Sequence, residues 1–116
     1  MSAKNQSKND IENVQEKLQS IKGREGIIGY ILRGPNSASI DLKDPTKIID
    51  YAVLSATAFE AGQDMSAMFE IGEVDSMITE GEETKILSRV VNDHHLSIFM
   101  DKNVDHNKLC KDLNLK

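Results

Sequence analysis

The sequence predicts an α+β domain with the order α-β-β-α-β-β-β-α, a five-stranded, mostly antiparallel sheet between helices. Three observations predict it. Near the start, two β-type stretches flank a Gly34-Pro35-Asn36 turn and read as a hairpin. Near the end, three more are joined at Gly81 and at Asn92-Asp93, both suited to tight turns. Between the two groups runs a long Ala-containing segment that reads as one helix.

Taken in order, residues 1–9 are mostly Ser, Asn, Lys and Gln and read as a flexible tail, leaving residues 10–116 as the domain. Asn9 with Glu12 resembles a capping box. Ile11, Val14, Leu18 and Ile21 then recur at helical spacing, and Gly23 ends that helix. Residues 26–33 (GIIGYILR) are apolar and β-branched, as in a strand buried on both faces. Residues 37–42 alternate, with Ala38, Ile40 and Leu42 on the apolar side, so this strand is expected to be half-buried. Asp44-Pro45 is a helix start, with an acid at the cap and Pro in the first turn. That helix extends to about residue 69 and ends at Gly72, with Gly62 costing it about 1 kcal/mol relative to Ala. Strands follow at 74–80, 84–92 and 94–100. A last helix starts at Asn103 or Val104 and runs to about Leu113.

The middle helix carries the most information. At 100° per residue, Thr46, Asp50, Thr57, Glu60 and Asp64 fall within one sector of about 80°. Ile48, Ala52, Ala56 and Phe59 make one apolar side. Tyr51, Leu54, Ala58, Ala61, Met65 and Phe69 make a second. An ordinary surface helix needs one apolar stripe. This helix is therefore expected to be buried twice, once on its own sheet and once on a second copy, with Ala58 and Ala61 allowing close approach.

Composition narrows the function classes. The chain has 116 residues and net charge −5, with one Cys. Cys110 cannot form an internal disulfide, which argues against a stapled secreted scaffold. The longest uncharged apolar stretch, residues 51–59, is far short of the roughly 18 residues that span a membrane. The N-terminus lacks the apolar core of a secretory signal. A cytoplasmic protein without membrane insertion is expected. The acidic balance argues against a nucleic-acid partner. The charge is concentrated: residues 44–83 hold one basic and ten acidic side chains, while each flank is net +2. Such a segment is either a solvated surface or one that steers a basic partner.

No catalytic, cofactor or metal site is expected. His106 and Cys110 share a helix face, but His94 and His95 point to opposite sides of a strand. A zinc site would lack a ligand, and no oxyanion donor accompanies a Cys–His pair. Gly23, Gly26 and Gly29 precede or interrupt a strand, unlike a dinucleotide loop, which follows one.

The arrangement resembles the Roadblock / dynein light chain family, in particular a prokaryotic single-domain member. The likeness rests on the Gly-containing strand EGIIGYIL at 25–32 and the hairpin leading into a long Ala-rich helix. It rests also on the three-strand run FEIGEVDSMITEGEETKILSRVVNDHHLSIFM at 69–100, closed by a short helix. It covers about residues 10–116. The resemblance implies a homodimer in which the middle helices pair and the third strands join edge to edge into one continuous sheet. Tyr51, Leu54, Ala58, Ala61 and Met65, with Val74, Ser76 and Ile78 of the third strand, would then form the interface. It implies a non-enzymatic scaffold or regulator of a Ras-like small GTPase, docked on the sector of Asp50, Thr57, Glu60 and Asp64. The alternative within the same resemblance is a structural adaptor of the dynein-light-chain type, gripping a helix or peptide of a larger chain.

Overall fold

The computed structural model describes residues 3–36, 38–42, 46, 48–70, 72, 76–91 and 93–113, with side chains from residue 12 onward except 48 and 49. The elements follow the expected order: α1 (Ala3–Ile21), β1 (Ile27–Arg33), β2 (Ala38–Leu42), α2 (Ile48–Met68), β3 (Ser76–Glu80), β4 (Thr84–Val91), β5 (His94–Asp101) and α3 (His106–Leu113). The strands form one antiparallel sheet in the order β2-β1-β5-β4-β3. Residues paired across antiparallel strands share a face, so the register defines the two faces.

One face is set by the row Tyr30, Ile98, Leu87 and Ile78. It joins Val14, Leu18 and Ile21 of α1 and Leu109 and Leu113 of α3 in the main core. The opposite face, through Ile31, Ser97, Ser88 and Met77, lies under α2. Three contacts fix the path of α2. Tyr51 stacks on Phe99 at 4.7 Å between ring centroids, and Phe59 meets His95 edge-on at 5.6 Å. Gly62 lies over Met77, where an added Cβ would come within 2.9 Å of the sulfur.

Several boundaries differ from the sequence reading. Helix α1 begins at Ala3, inside the segment read as a tail, because Ala3, Lys4, Gln6 and Lys8 suit a helix and no Gly or Pro interrupts them. Helix α3 begins at His106 rather than at Asn103 or Val104. Asp105 is its cap, its carboxylate accepting the backbone N–H groups of Lys108 at 3.1 Å and Asn107 at 3.0 Å. These N–H groups, that of Lys108 foremost, hold the Asp105 carboxyl below its ordinary pKa. Strand β3 is described from Ser76 onward, and Val74 lies outside the described residues, as do Ser37, Asp44 and Pro45. Strand β2 is less buried than its alternation implies. Ile40 on the α2 face is 41% exposed, because α2 crosses toward β4 and β3 and leaves this edge bare.

Gly29 is needed where the backbone of β2 lies against β1. It follows a register shift between β1 and β5. A Cβ there would overlap the Asp41 carbonyl oxygen and lie 2.8 Å from Leu42 Cα. Gly29→Ala is expected to destabilise the domain by about 1–3 kcal/mol through overpacking against backbone. Urea unfolding checks this, and an unchanged midpoint would mean that β2 shifts freely.

Candidate functional site

The outer surface of α2 is where the sequence-predicted residues gather. Its inner side is Ser55, Phe59 and Ser66, all buried, with Ala52 and Ala56 half-buried beside them. The two serines were invisible to apolar patterning. Each satisfies its hydroxyl locally: Ser55 Oγ donates to the Ala52 carbonyl at 3.3 Å, and Ser66 Oγ to that of Gly72. This lets polar side chains lie against the sheet at little cost.

Facing outward, Leu54 is 65% exposed, Met65 59% and Met68 79%. With the half-buried Ala58 and the exposed Ala61 they recur at alternating steps of four and three residues. That spacing is a heptad seam, narrow and continuous along one side of the helix. Met68 completes it and was missed by the sequence reading, although the heptad spacing would have found it. Tyr51 departs from its predicted place, because its ring stacks on Phe99 and turns it toward the sheet. Phe69 projects just past the end of the helix.

Beside the seam, Asp50, Thr57, Glu60 and Asp64 are all exposed, as their shared sector predicts. Thr57 Oγ1 donates to the Val53 carbonyl at 2.8 Å. Val53, 57% exposed, sits among them. Of the third-strand residues, Ser76 is exposed, while Ile78 is half-buried and packs on the α1–α3 core. β3 is an edge of the sheet, so backbone pairing there leaves the Ile78 side chain where it is.

The His and Cys side chains are dispersed. His95 meets Phe59 beneath α2, whereas His94 packs against Gly34. His106 Nδ1 lies 3.0 Å from Nζ of Lys85, which is only 5% exposed. A lysine ammonium can only donate, so Nδ1 accepts and the ring proton sits on Nε2. Cys110 packs against the core. Among the described residues no group of three or more His, Cys, Asp or Glu could hold a metal ion. The void under α2 beside Ser55, Ser88 and Ser97 is about 20 Å³, room for one water. Among the described residues no helix is long and apolar enough to cross a membrane.

Comparison with solved structures places the fold. The chain is similar to a Roadblock/LC7 domain from Streptomyces avermitilis, with a TM-score of 0.71 and 14% identity over 85% of this chain and 87% of that one. It is similar also to the gliding protein MglB from Thermus thermophilus, at 0.67 and 17%, covering 89% and 82%. Myxococcus xanthus MglB gives 0.70 and 12%, covering 89% and 80%. No sequence-family model and no curated protein matches the chain. At these identities the likeness is one of fold: the chain has the Roadblock architecture.

His106 thus has a structural task. His106→Ala leaves the buried Lys85 ammonium without this acceptor, and about 1–3 kcal/mol of stability is expected to be lost. Lys85→Met in the same background should recover part of it. Urea denaturation of the two variants checks this, and an unchanged His106→Ala midpoint would show that water serves Lys85 equally well.

Proposed function

We propose that the protein is a non-catalytic homodimeric scaffold or regulator that binds a Ras-like small GTPase. The observation that carries the reading is the outer surface of α2, where an apolar heptad seam runs beside an acidic sector. The Roadblock architecture supports it, as does the open edge at β3.

The seam suits a second copy. Burying a large apolar side chain is worth roughly 1.5–3 kcal/mol. Leu54, Met65 and Met68, counted over two copies, can offset an association cost of about 4–15 kcal/mol. Ala58 and Ala61 at its centre bring the helices close. Light scattering is expected to give twice the 12.9 kDa chain mass at micromolar concentration. Ala58→Arg should dissociate the pair, since it buries a charge without a partner. Glu60→Lys, outside the seam, should leave it intact. A monomeric wild-type chain, or a dimer indifferent to Ala58→Arg, rules this interface out.

With the seam occupied, Asp50, Thr57, Glu60 and Asp64 remain available on both copies. Their charge belongs to the 44–83 segment, which has net charge −9. Such a face attracts a partner with a basic surface and accelerates encounter more than it tightens the complex. Binding to a Ras-like small GTPase should be slower at 1 M salt, where the Debye length falls to about 3 Å from about 10 Å at 0.1 M. Reversing Glu60 and Asp64 to Lys should reduce the on-rate and its salt dependence while the dimer persists. An unchanged on-rate in surface-binding measurements would remove this sector from the docking site. Equal capture of the GTP-loaded, GDP-loaded and nucleotide-free forms would favour the adaptor reading.

A further inference from the structure

The edge of the sheet at β2, opposite β3, is built differently. Strand β2 pairs with β1 alone, and no described strand lies beyond it. Exposed edges are usually blunted by Lys, Pro, bulges or a covering element. Within β2 the one charged residue is Asp41, paired with Lys22 at 3.3 Å. Helix α1 lies alongside without covering the edge. It is tied there by Gln15, which donates to Ser39 Oγ at 3.2 Å, and by Gln19, which donates to the Tyr30 hydroxyl at 2.9 Å. A groove of about 540 Å³ remains between helix and strand, within the roughly 300–1,000 Å³ of ligand-binding clefts.

The charge of the groove selects its occupant. Glu12 and Glu16 stand on the α1 wall and Asp41 on the strand side. The Tyr30 hydroxyl stays neutral, since burial and then Asp41 push its pKa up. With Asp41 paired to Lys22, the net negative charge of the groove comes from Glu12 and Glu16. A second copy added across a two-fold axis would bring these same carboxylates toward one another. An extended segment carrying cations meets the opposite situation.

We propose that this groove takes an extended basic peptide segment of a partner protein as an added strand on β2. Its backbone completes the hydrogen bonding of the β2 edge. Side chains of a strand alternate between faces. Lysines or arginines on the α1 face meet Glu12 and Glu16, and the intervening side chains lie beside Ile40, which is 41% exposed on the other face. This is β-augmentation, in which the backbone supplies affinity and alternate side chains supply specificity. The site lies on the edge opposite the one expected to join two copies.

The test uses the full-length chain and a short fluorescent peptide of alternating lysine and valine. Anisotropy should report saturable binding at low salt, and the Lys→Glu peptide should not bind. Glu12→Lys with Glu16→Lys should weaken binding by about tenfold or more, as expected for lost and reversed charge pairs. Both residues are exposed, so the variant is expected to fold, and circular dichroism checks this. A peptide N-methylated on alternate residues tests the strand geometry without altering the protein, and should also bind about tenfold or more weakly. Amide chemical-shift changes should concentrate on residues 38–42 and on α1. The proposal is overturned if the N-methylated peptide binds equally well, since attraction is then charge alone. It is overturned too if the glutamate reversal has no effect, if the lysine peptide does not bind, or if the β2 edge pairs with a second copy instead.

Discussion

Everything in this fold answers to strand β5, which is buried on both faces at once. Leu96, Ile98 and Met100 are fully covered on one side, and Ser97 and Phe99 are nearly so on the other. A strand in that position requires a layer above and a layer below. Helices α1 and α3 together provide the first with Val14, Leu18, Ile21, Leu109 and Leu113. The second is left to α2 alone among the described elements. That helix reaches β5 through two aromatic contacts, Tyr51 on Phe99 and Phe59 on His95.

Because one helix covers a five-stranded face, its position is a compromise. It crosses toward β4 and β3, so Ile40 at the far edge keeps 41% of its surface exposed. Its buried side is narrow and small, built from Ser55, Phe59 and Ser66 with alanines between. Most of its apolar surface is therefore turned outward, in the seam of Leu54, Met65 and Met68. Isolated exposed apolar residues need no explanation, but a continuous apolar stripe does. The same compromise produces both the seam on α2 and the bare Ile40 at the β2 edge.

The order of elements and the hairpins were legible in the sequence because strand alternation, turn residues and helix period all agreed, whereas the pairing of β1 with β5 was not. The two-sided nature of α2 was legible for the same reason. What escaped were features that depend on partners distant in sequence. Lys85 lies in a strand whose pattern gives no sign that its ammonium meets His106 across the core. His106 shares a helix face with Cys110, but its Nδ1 is engaged by Lys85 instead. Ser55 and Ser66 belong to neither apolar side nor the polar sector, since a hydroxyl returned to a nearby carbonyl leaves no trace in a hydropathy pattern. Tyr51 was placed with the outer residues by helical angle, and one ring stacking on Phe99 decided otherwise. Of the acidic sector, the exposure of all four side chains was legible, but Val53 among them was not.

The two open edges of the sheet differ in what they can accept. On β3, the one acid is Glu80, at the end of the strand. Within β3 itself, a two-fold pairing centred on Ile78 would set Glu80 opposite Ser76, so the strand's one acid meets no like charge directly. Such an edge tolerates its own copy. On β2, Asp41 is paired with Lys22, while Glu12 and Glu16 stand beside the strand on α1, an arrangement that disfavours a copy and suits a basic strand. An edge that pairs with everything is an aggregation hazard. Under the proposal above, Glu12 and Glu16 beside β2 mark that edge as the one suited to a basic foreign strand.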